Sequence, residues 1–387
     1  MNDKALADHA KRTESEARIA AMIALAASEP GIPVRPAELD ADPWLLNVQN
    51  GTLDLRTGTL RVHEGADLIT KLAPVNYDPA AECPLWLAFL DRIMEGKASL
   101  IEFLQRSAGY SLTGDISEQV LFFFYGRGRN GKSTFLTTIL TLLGDYGRQA
   151  APGLLTMKRH DAHPTERADL MGARFVASIE VEQGRRLAEA LVKELTGGDR
   201  QKARFMRGDF FEWEPTHKLY LAVNHRPVVT GTDLAIWRRI RLVPFSVRIP
   251  EEEQDRNLSA KLKGEASGIL NWALEGCLAW QGDGLGAPLE VVEATASYRA
   301  EQDVLGAFID DECTLAEDAK ATAKSLYAAY REWSKAHGEE PATQTAFGLQ
   351  LGERGLRASR GRSARWWRGI GLNAQPGLEN GGLEREA

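Results

Sequence analysis

The chain has 387 residues, 47 basic against 54 acidic side chains, a formal net charge of −7, and 43% hydrophobic and 26% charged residues. These ordinary globular proportions exclude a disordered, fibrous or collagen-like chain, and the length predicts two or three domains. The acidic balance weighs mildly against nucleic acid as a partner.

The longest apolar run, Val120 to Tyr125, is far short of the roughly 18 residues that cross a bilayer. The N-terminus lacks the basic start, apolar block and small-residue cleavage site of a secretory signal. Three unclustered cysteines, Cys83, Cys277 and Cys313, make neither a disulfide frame nor a zinc set. A soluble protein of a reducing cytoplasm is expected, with no membrane partner.

Residues 4–28, rich in Ala and Glu, predict a surface helix, and Pro30, Pro33, Pro36 and Pro43 then break the chain. Trp44 to Asp78 reads as short strands, with Asn50-Gly51 and Thr57-Gly58 as turn signals. Pro84 to Leu112 is apolar at helical spacing, as two helices broken at Gly96. Between Val120 and Val247 apolar strands (VLFFFY, ARFVASIE, KLYLAVN, RLVPFSV) alternate with helical stretches, which predicts an α/β domain with a largely parallel sheet. Residues 251–280 read as helical, and the Gly-rich QGDGLGAP (281–288) begins a linker. The tail from Asn373 has the composition of a disordered segment. The expected domains are 1–84, 85–280 and 301–372, with a linker over 281–300 and the tail over 373–387.

Gly126-Arg127-Gly128-Arg129-Asn130-Gly131-Lys132-Ser133 matches the phosphate-loop pattern G-x-x-x-x-G-K-[ST], with Thr134 next. It follows the strand VLFFFY and opens a helix, the context the motif requires. Such glycines let backbone N–H groups turn inward around phosphate oxygens, and the helix N-terminus adds a favourable partial charge. Lys132 is expected to reach the β and γ phosphates of ATP and Ser133 to ligate Mg²⁺. The strand ARFVASIE ends in Glu180, with Glu182 two residues on; one carboxylate at such an edge can hold Mg²⁺ and a second can orient the attacking water. Spacing leaves open which does which. The strand KLYLAVN ends in Asn224, a neutral amide suited to holding the water or the γ-phosphate. Arg238 and Arg239 follow on a short helix, and an arginine at the γ-phosphate, from the same chain or a neighbour, stabilises transition-state charge.

GRGRNGKST, ASIEVEQGRRLAEALVKELTGGDR, KARFMRGDFFEWEP, KLYLAVNHRP and GTDLAIWRRIRLVPF stand in that order across about residues 85–255. Together they resemble the superfamily 3 helicase module of phage and plasmid primase-helicases. WLLNVQNGTLDLRTGTL is similar to the small domain that precedes this module, and a winged helix often follows it. The resemblance implies an AAA+-like P-loop NTPase core, a small N-terminal α+β domain and a C-terminal winged-helix domain. It further implies a ring, commonly a hexamer, with ATP at subunit interfaces and Arg238 or Arg239 acting in trans. The primase domain of such proteins has no counterpart before Trp44, so a primase is expected in cis in a longer product or in trans. The expected setting is the cytoplasm of a bacterial host.

Lys202, Arg204 and Arg207 interleave with Phe205, Phe210 and Phe211, a pairing of cations and rings that suits single-stranded DNA; in the resembled family this hairpin points into the ring's channel. Glu353 to Gly369 holds six arginines and one glutamate, a local +5 that leaves −12 on the rest. Arg360, Arg362 and Arg365 lie there beside Trp366 and Trp367, in the position of a wing that holds phosphates. These features predict an ATP-dependent helicase on single-stranded and forked DNA. The alternative is a DNA-binding initiator or regulator whose ATPase drives assembly rather than unwinding.

Overall fold

The computed structural model describes residues 3–157, 164–180, 184–229, 234–361 and 364–373. The chain opens with α1 (Asp3–Thr13) and α2 (Glu16–Ala26), neither of which buries a side chain. The helix expected over 4–28 is thus two, because Ser15 turns to extended backbone between them. An antiparallel meander follows: β1 (Leu45–Val48), β2 (Gly51–Asp54) and β3 (Thr59–Arg61). Next come α3 (Pro84–Ile93) and α4 (Ala98–Tyr110), divided near Gly96 as expected.

The central domain runs β4 (Leu121–Tyr125), α5 (Lys132–Leu143), β5 (Gly147–Gln149), α6 (Pro164–Ala168) and β6 (Phe175–Glu180). It continues through α7 (Glu189–Gly197), the hairpin β7 (Gln201–Arg204) and β8 (Phe210–Trp213), β9 (Lys218–Val223), α8 (Leu234–Trp237) and β10 (Ile240–Pro244). Five strands form one parallel sheet in the order β10-β4-β9-β6-β5, consistent with a P-loop-like core. β5 is a three-residue edge strand, too short to carry a periodicity. The central strands are buried on both faces, so they read as continuous apolar runs. Phe122, Phe124, Phe175 and Tyr220 face one core, and Leu121, Phe123, Val176 and Leu221 face the other.

The first core is closed by α9 (Leu258–Gly264) and α10 (Ala266–Asp283). A Cβ on Gly109 of α4 would lie 2.1 Å from the Cys277 nitrogen of α10, so the two helices touch backbone to backbone. Arg174, fully buried, donates to the Leu112 carbonyl at 2.6 Å and the Leu45 carbonyl at 2.9 Å, pinning the N-terminal meander to the sheet.

The stretch 281–300, expected as a linker, instead contains most of α11 (Leu289–Gln302). Tyr298 buries in the second core, Thr295 accepts from the Leu242 N–H of β10 at 3.0 Å, and Gln302 accepts from the Val229 N–H at 3.0 Å. The first bond satisfies an N–H on the outer edge of β10 and the second holds the loop after β9, which is why α11 belongs to the central domain.

The chain ends with α12 (Val304–Glu312), β11 (Cys313–Thr314), β12 (Lys320–Thr322), α13 (Ala323–Ala336), α14 (Gln344–Glu353), β13 (Arg357–Arg360), β14 (Arg365–Arg368) and β15 (Gly371–Leu372). They enclose a third core that includes Phe308, Leu326, Phe347 and Trp367. Residues 374–387, most of the expected tail, lie outside the described residues. No described helix is long and apolar enough to cross a membrane.

Gly109→Val places two methyl groups where the α4 and α10 backbones meet. It is expected to destabilise the protein by about 1–3 kcal/mol or more, read as a lowered midpoint in urea unfolding.

Candidate functional site

The register of the sheet builds the site. Tyr125 pairs with Val223, and Val223 with Glu180, so β4, β9 and β6 end at one level. The loop 126–131, Asn224 and the backbone of Glu180 therefore share one edge of the sheet. The Glu180 side chain and Glu182 lie outside the described residues.

The loop has the shape its sequence requires. Gly126 is buried, and a Cβ there would sit 2.2 Å from Asn130 Nδ2 and 2.3 Å from the Phe245 carbonyl. Gly131 caps α5 at φ 84°, where a side chain would also strike Ile93. Gly128 and Arg129 take positive φ as well, so the loop curls tightly over the start of α5. The N–H groups there and the helix dipole favour an anion. Ser133 and Arg127 are exposed and Thr134 is half-buried.

Lys132 is 5% exposed. Its ammonium donates to the Gly126 carbonyl at 2.6 Å, Asn130 Oδ1 at 2.9 Å and Asn224 Oδ1 at 3.3 Å. Burial pushes its pKa down to about 8. Asn130, held in turn by the Phe245 carbonyl at 3.2 Å, thus positions the lysine between the loop and Asn224. Beside Gly131 and Thr134 opens a cleft of about 470 Å³, lined by Leu85, Phe89, Leu258 and Gln254 and bridged by the Arg92–Glu253 pair at 2.8 Å. A glycine cradle, a buried ammonium and an exposed hydroxyl at Ser133 could together hold a nucleoside triphosphate and its cation.

Arg238 and Arg239 lie at the opposite edge. Ile240 pairs with Leu121, the first residue of β4, so both arginines, which immediately precede β10, are separated from their own loop by the length of β4, roughly 15 Å at about 3.3 Å per residue. They follow α8 in a turn rather than lying on it. Arg239 is buried, with Nε donating to Thr196 Oγ1 at 3.0 Å and Nη1 to the Ala235 carbonyl at 2.7 Å. Arg238 is exposed.

Sequence reasoning missed Arg226, two residues past Asn224. It stacks over Tyr125, 4.8 Å from the ring centre, and pairs with Glu301 of α11 at 2.8 Å. No motif marks it; its role depends on a helix that reads as a linker.

The hairpin β7–β8 turns one face inward and one outward. Ala203 and Trp213 are buried, while Lys202, Arg204, Arg207 and Phe210 are exposed. Lys202 and Arg204 flank the Phe210 ring at 5.4 and 5.1 Å. Phe205 and Met206 at the tip are 52% and 79% exposed. Trp213 is a core residue, and Phe211 is half-buried against the same core. In the C-terminal unit Arg360 and Arg365 face each other across β13 and β14, both exposed; Arg362 lies outside the described residues.

Three family models match parts of the chain: D5 N terminal like over residues 1–95, a Family of unknown function (DUF5906) over 124–239, and Poxvirus D5 protein-like over 300–354. "Putative helicase L207/L206" of Acanthamoeba polyphaga mimivirus is 27% identical over 77% of this chain and 34% of its own length. "Putative helicase 022R" of Frog virus 3 is 28% identical over 65% and 28%. "Putative primase C962R" of African swine fever virus is 27% identical over 52% and 22%. The chain is similar to these putative helicases and primases of large DNA viruses. It spans about a third or less of their length. The chain also shares its fold with the NrS-1 C terminal region, at TM-score 0.51 and 11% identity over 86% of this chain and 83% of that one. These relationships bear out the resemblance to the helicase module of primase-helicases.

The two arginines separate by stability. Arg239→Ala strips a buried hydrogen-bonding group and is expected to cost about 1–3 kcal/mol, whereas Arg238→Ala is expected to stay within about 0.5 kcal/mol of the wild type; thermal denaturation of the two variants checks this.

Proposed function

We propose that the chain is the ATP-dependent helicase module of a DNA replication protein, translocating on single-stranded DNA as a ring, commonly a hexamer. The observation that carries this reading is the shared sheet edge: a phosphate loop, a buried lysine bonded to a strand-end amide, and a strand-end glutamate. The viral relatives named as helicases and primases point the same way.

In this reading the loop N–H groups and Lys132 grip the ATP phosphates, and the apolar cleft beside Gly131 takes the base. Asn224 holds the attacking water or the γ-phosphate, with Glu180 or Glu182 orienting the water. The Ser133 hydroxyl and Glu180 would hold Mg²⁺, which neutralises charge on the phosphates. Arg238 serves the neighbouring subunit: it is roughly 15 Å from its own loop and exposed, while Arg239 holds Thr196. The outward face of β7–β8, with Lys202, Arg204, Arg207 and Phe210, meets the strand in the ring's channel, and the C-terminal unit acts as a winged helix on forked DNA through Arg360, Arg362 and Arg365. A primase acts in cis or in trans. The phage, prophage or plasmid setting and the bacterial cytoplasm rest on the motif resemblance alone, since the curated relatives come from large DNA viruses.

Strand displacement on forked DNA tests the reading: ATP-dependent unwinding is expected from the wild type and none from Lys132→Ala. Tight duplex binding without displacement would favour an initiator instead.

Lys132 also sets a pH dependence. Held at about 8 by burial, it regains its proton affinity beside bound phosphates, so ATP binding takes up a proton above that pH. Affinity is expected to be flat below about pH 7.5 and to fall by up to about tenfold per pH unit above 8; calorimetric titrations of wild type and Lys132→Met check this, the variant binding weakly with no such slope.

A further inference from the structure

The C-terminal unit has a second charged surface, on the outer face of its three-stranded sheet. β14 lies between β12 and β13. The register sets Lys320 opposite Arg368 and Arg368 opposite Arg357, so three cations form one row across three strands. All three are exposed, and among the described residues none has an ion-pair partner. Like charges directly opposite each other destabilise a sheet, so the row costs stability in the free protein.

The next row on the same face is Thr322, Trp366 and Ser359. Alternation sends Trp367 into the core and leaves Trp366 outside, half-buried. Its indole lies along the hairpin, where a Cβ on Gly361 would come within 2.9 Å of Nε1, and Lys320 Nζ is 5.9 Å from its ring centre. The helices α13 and α14 pack on the opposite face, against Ala321 and Trp367. α14 itself, QTAFGLQLGE, carries no basic residue.

We propose that this outer face binds single-stranded DNA, with Trp366 stacking a base and Lys320, Arg357 and Arg368 holding the phosphates beside it. A cation row beside a half-buried, outward-facing ring suits an unpaired strand, whose bases offer their faces, and not a duplex, whose bases are stacked inside. The inference rests on the reading that the chain works on single-stranded DNA.

Fluorescence anisotropy of the full chain with labelled oligothymidine, across a salt series, tests it. The variant Lys320→Gln/Arg357→Gln/Arg368→Gln, with an unchanged melting midpoint, is expected to lose about tenfold or more in affinity and to flatten the log–log salt slope by about 2, since each phosphate contact contributes about 0.7. Trp366→Ala is expected to lose about tenfold and Trp366→Phe to retain most of the affinity; if the alanine variant does not fold, the phenylalanine and charge variants decide. Wild-type affinity and slope in the charge variant, with binding lost in Lys202→Gln/Arg204→Gln/Arg207→Gln, would overturn this inference and leave the function reading standing. A wild type that does not bind oligothymidine would overturn both.

Discussion

The parallel register of β4, β9 and β6 is the constraint on which the rest of the site depends. Because Tyr125, Val223 and Glu180 lie side by side, three segments far apart in the chain end at the same level. Parallel strands hydrogen-bonded on both sides and buried on both faces have no freedom to slip, since a one-residue shift would turn Phe122 and Phe124 into the wrong core. A rigid edge of this kind holds loops to the accuracy that charge-stabilising chemistry needs.

The buried lysine is the electrostatic expression of that geometry. Lys132 keeps its charge in a dry place only because three oxygens accept from it. One of these belongs to Asn224, so the loop and the neighbouring strand end are coupled by a single ammonium. Arg226, Tyr125, Glu301 and Tyr298 then tie that strand end to α11. α11 leads directly into the C-terminal unit.

Much of this was legible from residues alone where the signal is local. The phosphate loop is eight contiguous residues between a buried strand and a helix, and the four longer core strands are apolar runs with clear ends. The Gly96 break likewise follows from short-range turn chemistry, whereas the hairpin at Phe205 was implied by the family resemblance. What misled was pattern without context. The glycines of QGDGLGAP and the weak stripe of LEVVEATASYRAEQ read as a linker, because α11 fully buries only Val291 and Tyr298. Its attachment is made by backbone N–H groups donating to Thr295 and Gln302, which no periodicity reveals.

The sequence by itself determined the presence of a phosphate loop, the alternation that makes a parallel sheet, and the concentration of positive charge near the C-terminus. Each depends on neighbours within a few residues. Tertiary structure decided which of Arg238 and Arg239 faces outward, which side of β7–β8 carries exposed cations, and that Lys320 joins Arg357 and Arg368 in one row. Adjacent arginines share a composition and differ only in what packs against them. Strand register and burial are set by contacts between distant parts of the chain.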